Sequence, residues 1–312
     1  MTLTCRDYVS TNGMSREEWL ERRKHSIGGS DAGAIMGLSK YSSPMVVWGD
    51  KTGRLPPQEE TEAMWQGTAF EPHVAQRFCE KTGKRVKRCN KMLYNPLYSY
   101  SHADIDREVV GENAGLECKF MSVPFAEKDL ENDIYPAHYH IQCLHYMAIT
   151  GADRWYLAIL LAGRGFYWFT IDRERNQKTI DTLMQAERDF WEQYVLRNEP
   201  PPPDGSDPTT KAIREMFPQE EEYDVELEDE PLARYEALRK QAGEIEKEME
   251  AIKQQVMLVM QDSTTGISES YTVKWKRQKR TTYNIKELMK QHPEINMEPF
   301  TKTTEHRTFS VK

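Results

Sequence analysis

The chain has 312 residues, with 42 Lys+Arg against 50 Asp+Glu and a formal net charge of -8. That length suits one large domain or a domain with an appendage, and seven Trp, fifteen Tyr and ten Phe make it too aromatic for a disordered chain. No run approaches the roughly 18–20 apolar residues of a membrane helix, the opening MTLTCRDYVS lacks a signal-peptide pattern, and five cysteines without a CxxC pair argue against a disulfide framework or a Cys-rich metal site.

In chain order, Ser15 and Glu18 have the spacing of a capping box and predict a helix from 16 to 25. SIGGSDAGAIMGLS should break at Gly28-Gly29 and restart with Ser30-Asp31 as N-cap. A longer helix is expected from 66 to 81, stopped by Gly83. Strand-like segments follow: RVKRCNKMLY, SYSHADIDREVV and GLECKFMSV. A helix from His138 to Thr150, ended by Gly151, precedes WYLAILLAG and GFYWFTID, which flank a glycine turn. A last helix, 178–197, runs into the four prolines at 200–203.

The composition then changes. Eight acidic and no basic residues lie between Phe217 and Glu230. Apolar or small residues recur in steps of three and four from Leu232 to Val259, the signature of an amphipathic helix able to form a coiled coil. The expected division is a domain at 1–203, a Pro-rich and acidic linker at 204–230, and a helical, basic appendage at 231–312. The amphipathic helix is expected to pack against its own chain.

The chemistry concentrates in HADIDREVVGENAGLECKF, residues 102–120. Strand alternation puts Glu117 and Lys119 on one face and Cys118 on the other. A hairpin turning at Gly111–Gly115 would set Asp106 beside Glu117. Two carboxylates and an ammonium in one volume suit Mg²⁺, which binds through one or two carboxylates and keeps waters or phosphate oxygens. That is equipment for phosphodiester hydrolysis. The same pattern also occurs on ordinary exposed strands, so the triplet needs its neighbours.

Those neighbours form an ordered array: Trp19, Arg23 and Ser30; Gly67, Glu71 and Pro72; Asp106, Glu117 and Lys119; Gln142 and Tyr146. Over residues 15–200 the array resembles the YqaJ-type viral recombinase family, which is similar to phage lambda exonuclease within the PD-(D/E)XK nuclease superfamily. The resemblance implies an α/β fold with a mixed central sheet flanked by helices. It implies a DNA exonuclease that uses Mg²⁺, with Mn²⁺ as a substitute. Asp106 and Glu117 would bind metal with the Cys118 carbonyl, Lys119 would be the catalytic lysine, and Gln142 would orient water or phosphate. Glu71 would face the site, binding metal directly or through water. Arg23 and Ser30 match a 5′-phosphate pocket, which a helix N-terminus behind two glycines would favour. Asp104 stands where lambda-type enzymes have a small hydroxyl residue; it is the alternative metal ligand to Asp106, and its charge would repel phosphate.

The resemblance further implies 5′→3′ digestion of double-stranded DNA, a single-strand annealing protein as partner, a homo-oligomer such as a ring of three, no membrane, and the cytoplasm of a bacterial or phage-infected cell. An endonuclease and a catalytically silent DNA-binding module are the rival readings. Lys84, Arg85, Lys87 and Arg88, in the basic run 81–91, are candidate DNA contacts, or else a charged strand edge. KWKRQKR at 274–280 is a second basic cluster, with Trp275 able to stack on a base. His138, His140 and His145 lack metal-site spacing and are expected to be structural or to contact DNA.

Overall fold

The computed structural model describes residues 7–122, 127–303 and 307–311. The chain divides into two compact units, Met1–Gln219 and Glu220–Lys312.

In the first unit, β1 (Asp7–Ser10) precedes α1 (Arg16–Lys24), α2 (Gly29–Ile35), α3 (Pro44–Lys51) and α4 (Glu62–Thr82). The Ser15/Glu18 capping box forms in both directions. Two expectations are corrected here. The N-cap of α2 is Gly28, because the Asp31 carboxylate reaches back to the Gly28 N–H at 2.9 Å. Helix α4 begins a turn earlier than residue 66, because Thr61 caps it by accepting from the Met64 N–H. Pro72 sits inside α4 and removes only one rung of its hydrogen bonding.

The strand-like stretches divide between two sheets. β2 (Val86–Arg88) and β3 (Lys91–Tyr94) separate at Cys89-Asn90; β4 (His102–Asp104) and β5 (Arg107–Val109) separate at Ile105-Asp106. β1, β3 and β4 form one antiparallel sheet. The central sheet has the order β2-β5-β6-β7-β8, with β6 (Ala114–Met121), β7 (Arg154–Leu161) and β8 (Gly165–Asp172). β6 and β7 run parallel while their neighbours are antiparallel, so the sheet is mixed. Between β6 and β7 lie α5 (Glu127–Glu131) and α6 (Ala137–Thr150). Gly83 and Gly151 end α4 and α6 in the left-handed conformation, which glycine adopts without strain.

Helices cover both faces of this sheet. Val74, Ala75 and Phe78 of α4 bury Val109, Leu116, Cys118, Tyr156 and Ala158. On the other face Leu144, Met147 and Ile149 of α6 pack with Trp155, Leu157 and Ile159, joined by Ile180 and Leu183 from α7 (Arg173–Phe190). Each fully buried side chain of this size contributes about 1.5–3 kcal/mol. α7 starts before the expected residue 178 and continues through a wider turn at Trp191–Val195.

The compact unit ends at Gln219 rather than at 203. α8 (Asp207–Met216) lies in the stretch expected to be linker, yet it buries Thr209 and Ala212, and the Thr209 hydroxyl donates to Ser43 Oγ at 2.8 Å. The second unit holds α9 (Asp229–Met260), the hairpin β9 (Thr265–Ile267) and β10 (Thr272–Lys274), and α10 (Ile285–Gln291). Along α9, Leu238, Ile245, Met249 and Ile252 are exposed among the described residues, while Met260 is buried and the Tyr235 ring meets Phe309 edge-on at 5.6 Å between centroids. Among the described residues no helix is long and apolar enough to cross a membrane.

Candidate active site

The β5–β6 hairpin forms with Arg107 opposite Leu116 and Glu108 opposite Gly115, which brings the preceding Asp106 level with Glu117. Asp106 occupies the step where the chain leaves one sheet for the other, and its Oδ2 accepts from the Cys118 N–H at 2.7 Å. Cys118 packs towards α4, while Glu117 and Lys119 face α6, as strand alternation requires.

Glu117, Lys119 and Gln142 form a closed ring of contacts. Lys119 Nζ lies 2.6 Å from Glu117 Oε1 and donates to Gln142 Oε1 at 3.0 Å. The Gln142 amide donates to the same Glu117 oxygen at 2.8 Å and to the Tyr146 hydroxyl at 2.9 Å. Among the described residues Glu117 Oε2 is buried without a hydrogen-bond partner. An unmatched carboxylate oxygen is costly in the interior. Burial, Glu117 and Glu71 push the Asp106 carboxyl well above its ordinary range, against the pull of Lys119. Burial also raises Glu117, despite Lys119 beside it. Burial alone would lower the Lys119 pKa, but Glu117 and Asp106 outweigh it and hold the ammonium above the usual lysine range.

This donor set fits a hard divalent cation. Among the described residues no three His, Cys, Asp or Glu side chains group as a ready metal cage. Mg²⁺ does not need one, because it usually binds through one or two carboxylates and keeps waters. Asp106, Glu117 through its Oε2, and the carbonyl of Cys118, the next residue along β6, are the groups that could hold it.

These residues line a cavity of about 430 Å³ that also takes in Arg23, Ser30, Glu71, Asp104 and Tyr146. Glu71, on α4, is held by Arg107 Nη1 at 2.5 Å. Arg107 is buried, and sequence reasoning assigned it no role; the adjacency Asp106-Arg107 was the available signal. Arg23 Nη2 donates to Ser30 Oγ at 2.6 Å, and its guanidinium lies 4.7 Å from the Trp19 ring centroid. Behind them, the buried Lys51 ammonium lies 2.7 Å from Asp31 Oδ2 and donates to the Arg23 carbonyl at 2.9 Å. Burial would raise the Asp31 pKa, but Lys51 and Arg23 lower it far below the carboxylate range. Gly29 passes under Tyr146, where a Cβ would meet the ring at 2.5 Å. Asp104 Oδ2 lies 3.6 Å from Nε2 of the buried His102. Asp31, Lys51 and His102 are also absent from the sequence-based set, because their partners are distant along the chain.

The basic run is not in this cavity. Lys84 is paired with Glu112, and Lys87 with Glu108 at 2.9 Å. Arg85 and Arg88 are exposed on or beside β2, the edge strand, with no ion pair among the described residues. His140 lies between the Tyr135 hydroxyl and Asn176, and His145 pairs with Glu187.

The family model described as the YqaJ-like viral recombinase domain matches residues 18–153. The protein YqaJ of Bacillus subtilis (strain 168) is 34% identical over 306 residues, covering 96% of this chain and 95% of its own. Among solved structures, an alkaline exonuclease from Laribacter hongkongensis aligns with a TM-score of 0.47 and 22% identity, over 58% of this chain and 95% of that one. A phage-related exonuclease from Haemophilus somnus 129PT aligns at 0.41 and 15%, over 56% and 96%. With a relative this similar along almost its whole length, the chain belongs to the YqaJ-like viral recombinase family.

Proposed function

We propose that the protein is a metal-dependent DNA exonuclease of the PD-(D/E)XK type. It digests one strand of linear double-stranded DNA 5′→3′ and leaves 3′ tails for a single-strand annealing protein. The observation that carries this reading is the buried Glu117 Oε2 beside Asp106, without a hydrogen-bond partner among the described residues, while Lys119 and Gln142 are clamped on the other oxygen.

Asp106 and Glu117 would hold Mg²⁺ or Mn²⁺, with the Cys118 carbonyl as a further candidate ligand. Asp106 is preferred to Asp104 because the hairpin sets it level with Glu117, with its Oδ2 on the Cys118 N–H at 2.7 Å, whereas Asp104 Oδ2 lies 3.6 Å from His102 Nε2. The bound cation supplies Lewis-acid stabilisation of charge on the scissile phosphate. Lys119, kept protonated by its neighbours, places positive charge where the phosphate accumulates negative charge in the transition state. Gln142 spans Lys119 and Glu117, so its amide can orient the scissile phosphate or the attacking water, with Tyr146 fixing its rotamer. Glu71, oriented by Arg107, closes the acidic side directly or through water. Arg23 and Ser30 receive the terminal 5′ phosphate, and Lys51 and Asp31 keep Arg23 in place. Lys84, Arg85, Lys87 and Arg88 meet the DNA backbone beyond the cavity, Arg85 and Arg88 most directly. A homo-oligomer, such as a ring of three, would retain the duplex between cuts.

The test is a time course on linear duplexes labelled at either end, with Mg²⁺ and with EDTA. Digestion should start from 5′ ends, slow on dephosphorylated ends and stop in EDTA, and a covalently closed plasmid should survive. Lys119→Ala should lower the rate by about 100-fold or more with duplex binding retained. Wild-type digestion by Lys119→Ala would overturn the site, and cutting of the closed plasmid would favour an endonuclease.

A further inference from the structure

We infer that the second unit carries a binding strip for single-stranded DNA, built from residues 271–283 and outside the residues that line the cavity. Between Ser270 and Ile285 the sequence holds five cations, Lys274, Lys276, Arg277, Lys279 and Arg280, and no Asp or Glu. All five side chains are exposed, and among the described residues none is in an ion pair. This contrasts with α9, where Arg239 and Lys253 pair with Glu236 and Glu250. A chain of net charge -8 can meet a polyanion only through a local patch of this kind.

Aromatic rings interleave with these cations. Tyr271, Trp275 and Tyr283 are 76%, 42% and 85% exposed. Trp275 follows β10, but its N–H still donates to the Thr264 carbonyl at 3.1 Å, so the ladder extends one residue beyond the hairpin. Strand alternation then puts Tyr271, Val273 and Trp275 on one face of a backbone already fixed. The Tyr271 N–H donates to Ser268 Oγ at 3.0 Å, which holds the turn.

Rings presented on a short ribbon, flanked by unpaired cations, match how single strands are held: bases stack on rings and the backbone tracks the charge. A paired duplex keeps its base faces covered, so the exposed rings select the single strand. The choice of DNA rather than RNA rests on the exonuclease reading; the strip itself does not.

The experiment measures affinity of the full chain for a fluorescein-labelled oligo-dT by anisotropy in EDTA, where nothing is cut. Trp275→Ala should weaken binding about tenfold, and Trp275→Phe, which keeps a ring, should recover most of it. Changing Lys276, Arg277, Lys279 and Arg280 to Gln should reduce the salt slope of binding by about 0.7 for each cation removed. These four lie outside any helix or strand, so the fold should be retained, as judged by circular dichroism. Affinities for the single strand equal to wild type in both the Trp275→Ala and the four-cation variants, or an equal loss of single-strand affinity in Trp275→Phe and Trp275→Ala, would overturn the strip. Absence of digestion in Mg²⁺ with this binding intact would instead sink the exonuclease reading alone.

Discussion

His145, on α6, has an acceptor at each ring nitrogen: Glu187 Oε1 lies 2.7 Å from Nδ1, and the His102 carbonyl lies 2.7 Å from Nε2. Both nitrogens must therefore donate, and the ring is an imidazolium. The Ser101 hydroxyl donates to the other Glu187 oxygen at 2.6 Å, so this buried ion pair leaves no polar atom idle. The carbonyl it grips opens β4, the strand that carries Asp104 and leads to Asp106. Burial opposes the charge on His145, but Glu187 outweighs it and the pKa is raised from 6.5. The sign follows from linkage: a raised folded pKa favours folding fully below the unfolded value, and the contribution fades as pH climbs through the folded one. The melting temperature should therefore fall as pH rises from 6 towards 9. His145→Gln should melt lower at pH 6 and show a shallower decline. A variant with the wild-type slope in thermal melts across that range would show that the pair does not drive it.

At the scale of elements, alternation and capping rules carried most of what positions the site. The Ser15 box, the β5–β6 hairpin, the opposed faces of Glu117 and Cys118, and the stop of α6 at Gly151 all follow from local chemistry. What stayed hidden was pairing between distant segments. RVKRCNKMLY reads as one strand, yet β2 and β3 join different sheets, because hydrogen-bond partners rather than propensity decide where a strand ends. Arg107 on Glu71 and Lys51 on Asp31 were unreadable for the same reason. α8 is a different case, since its signals were local: Ser206 before Asp207-Pro208 is an N-cap followed by an early proline, and proline is favoured there. The four prolines upstream, which favour an extended chain, mask that signal. Ser206 Oγ accepts from the Thr209 N–H at 3.3 Å, while Thr209 itself bonds Ser43 at the N-cap of α3. Ser206→Ala should thus cost about 1 kcal/mol. In urea unfolding that appears as a lower midpoint with an unchanged slope. No change in midpoint would mean that the cap contributes nothing to holding α8 on α3.

For the molecule as a whole, two units with separate folds are joined along the chain by a segment without helix or strand. Residues 217–228 contain no helix or strand, and all are exposed. Six of the eight acids between Phe217 and Glu230 fall within these residues, with no cation to neutralise them. Like charges at this density repel and favour an extended chain over a compact one. Proteases cut where backbone is exposed and free of ladder bonds, which makes the two-unit organisation directly testable. A glutamate-specific protease should nick first between Glu220 and Glu228, giving one fragment that retains the cavity residues and another that retains α9 and the basic stretch 274–280. Trypsin should spare this stretch, because no Lys or Arg lies between Arg214 and Arg234, each inside a helix. Mass spectrometry of early time points separates the outcomes. First cuts within the central sheet, or even degradation without stable fragments, would contradict a division at Gln219.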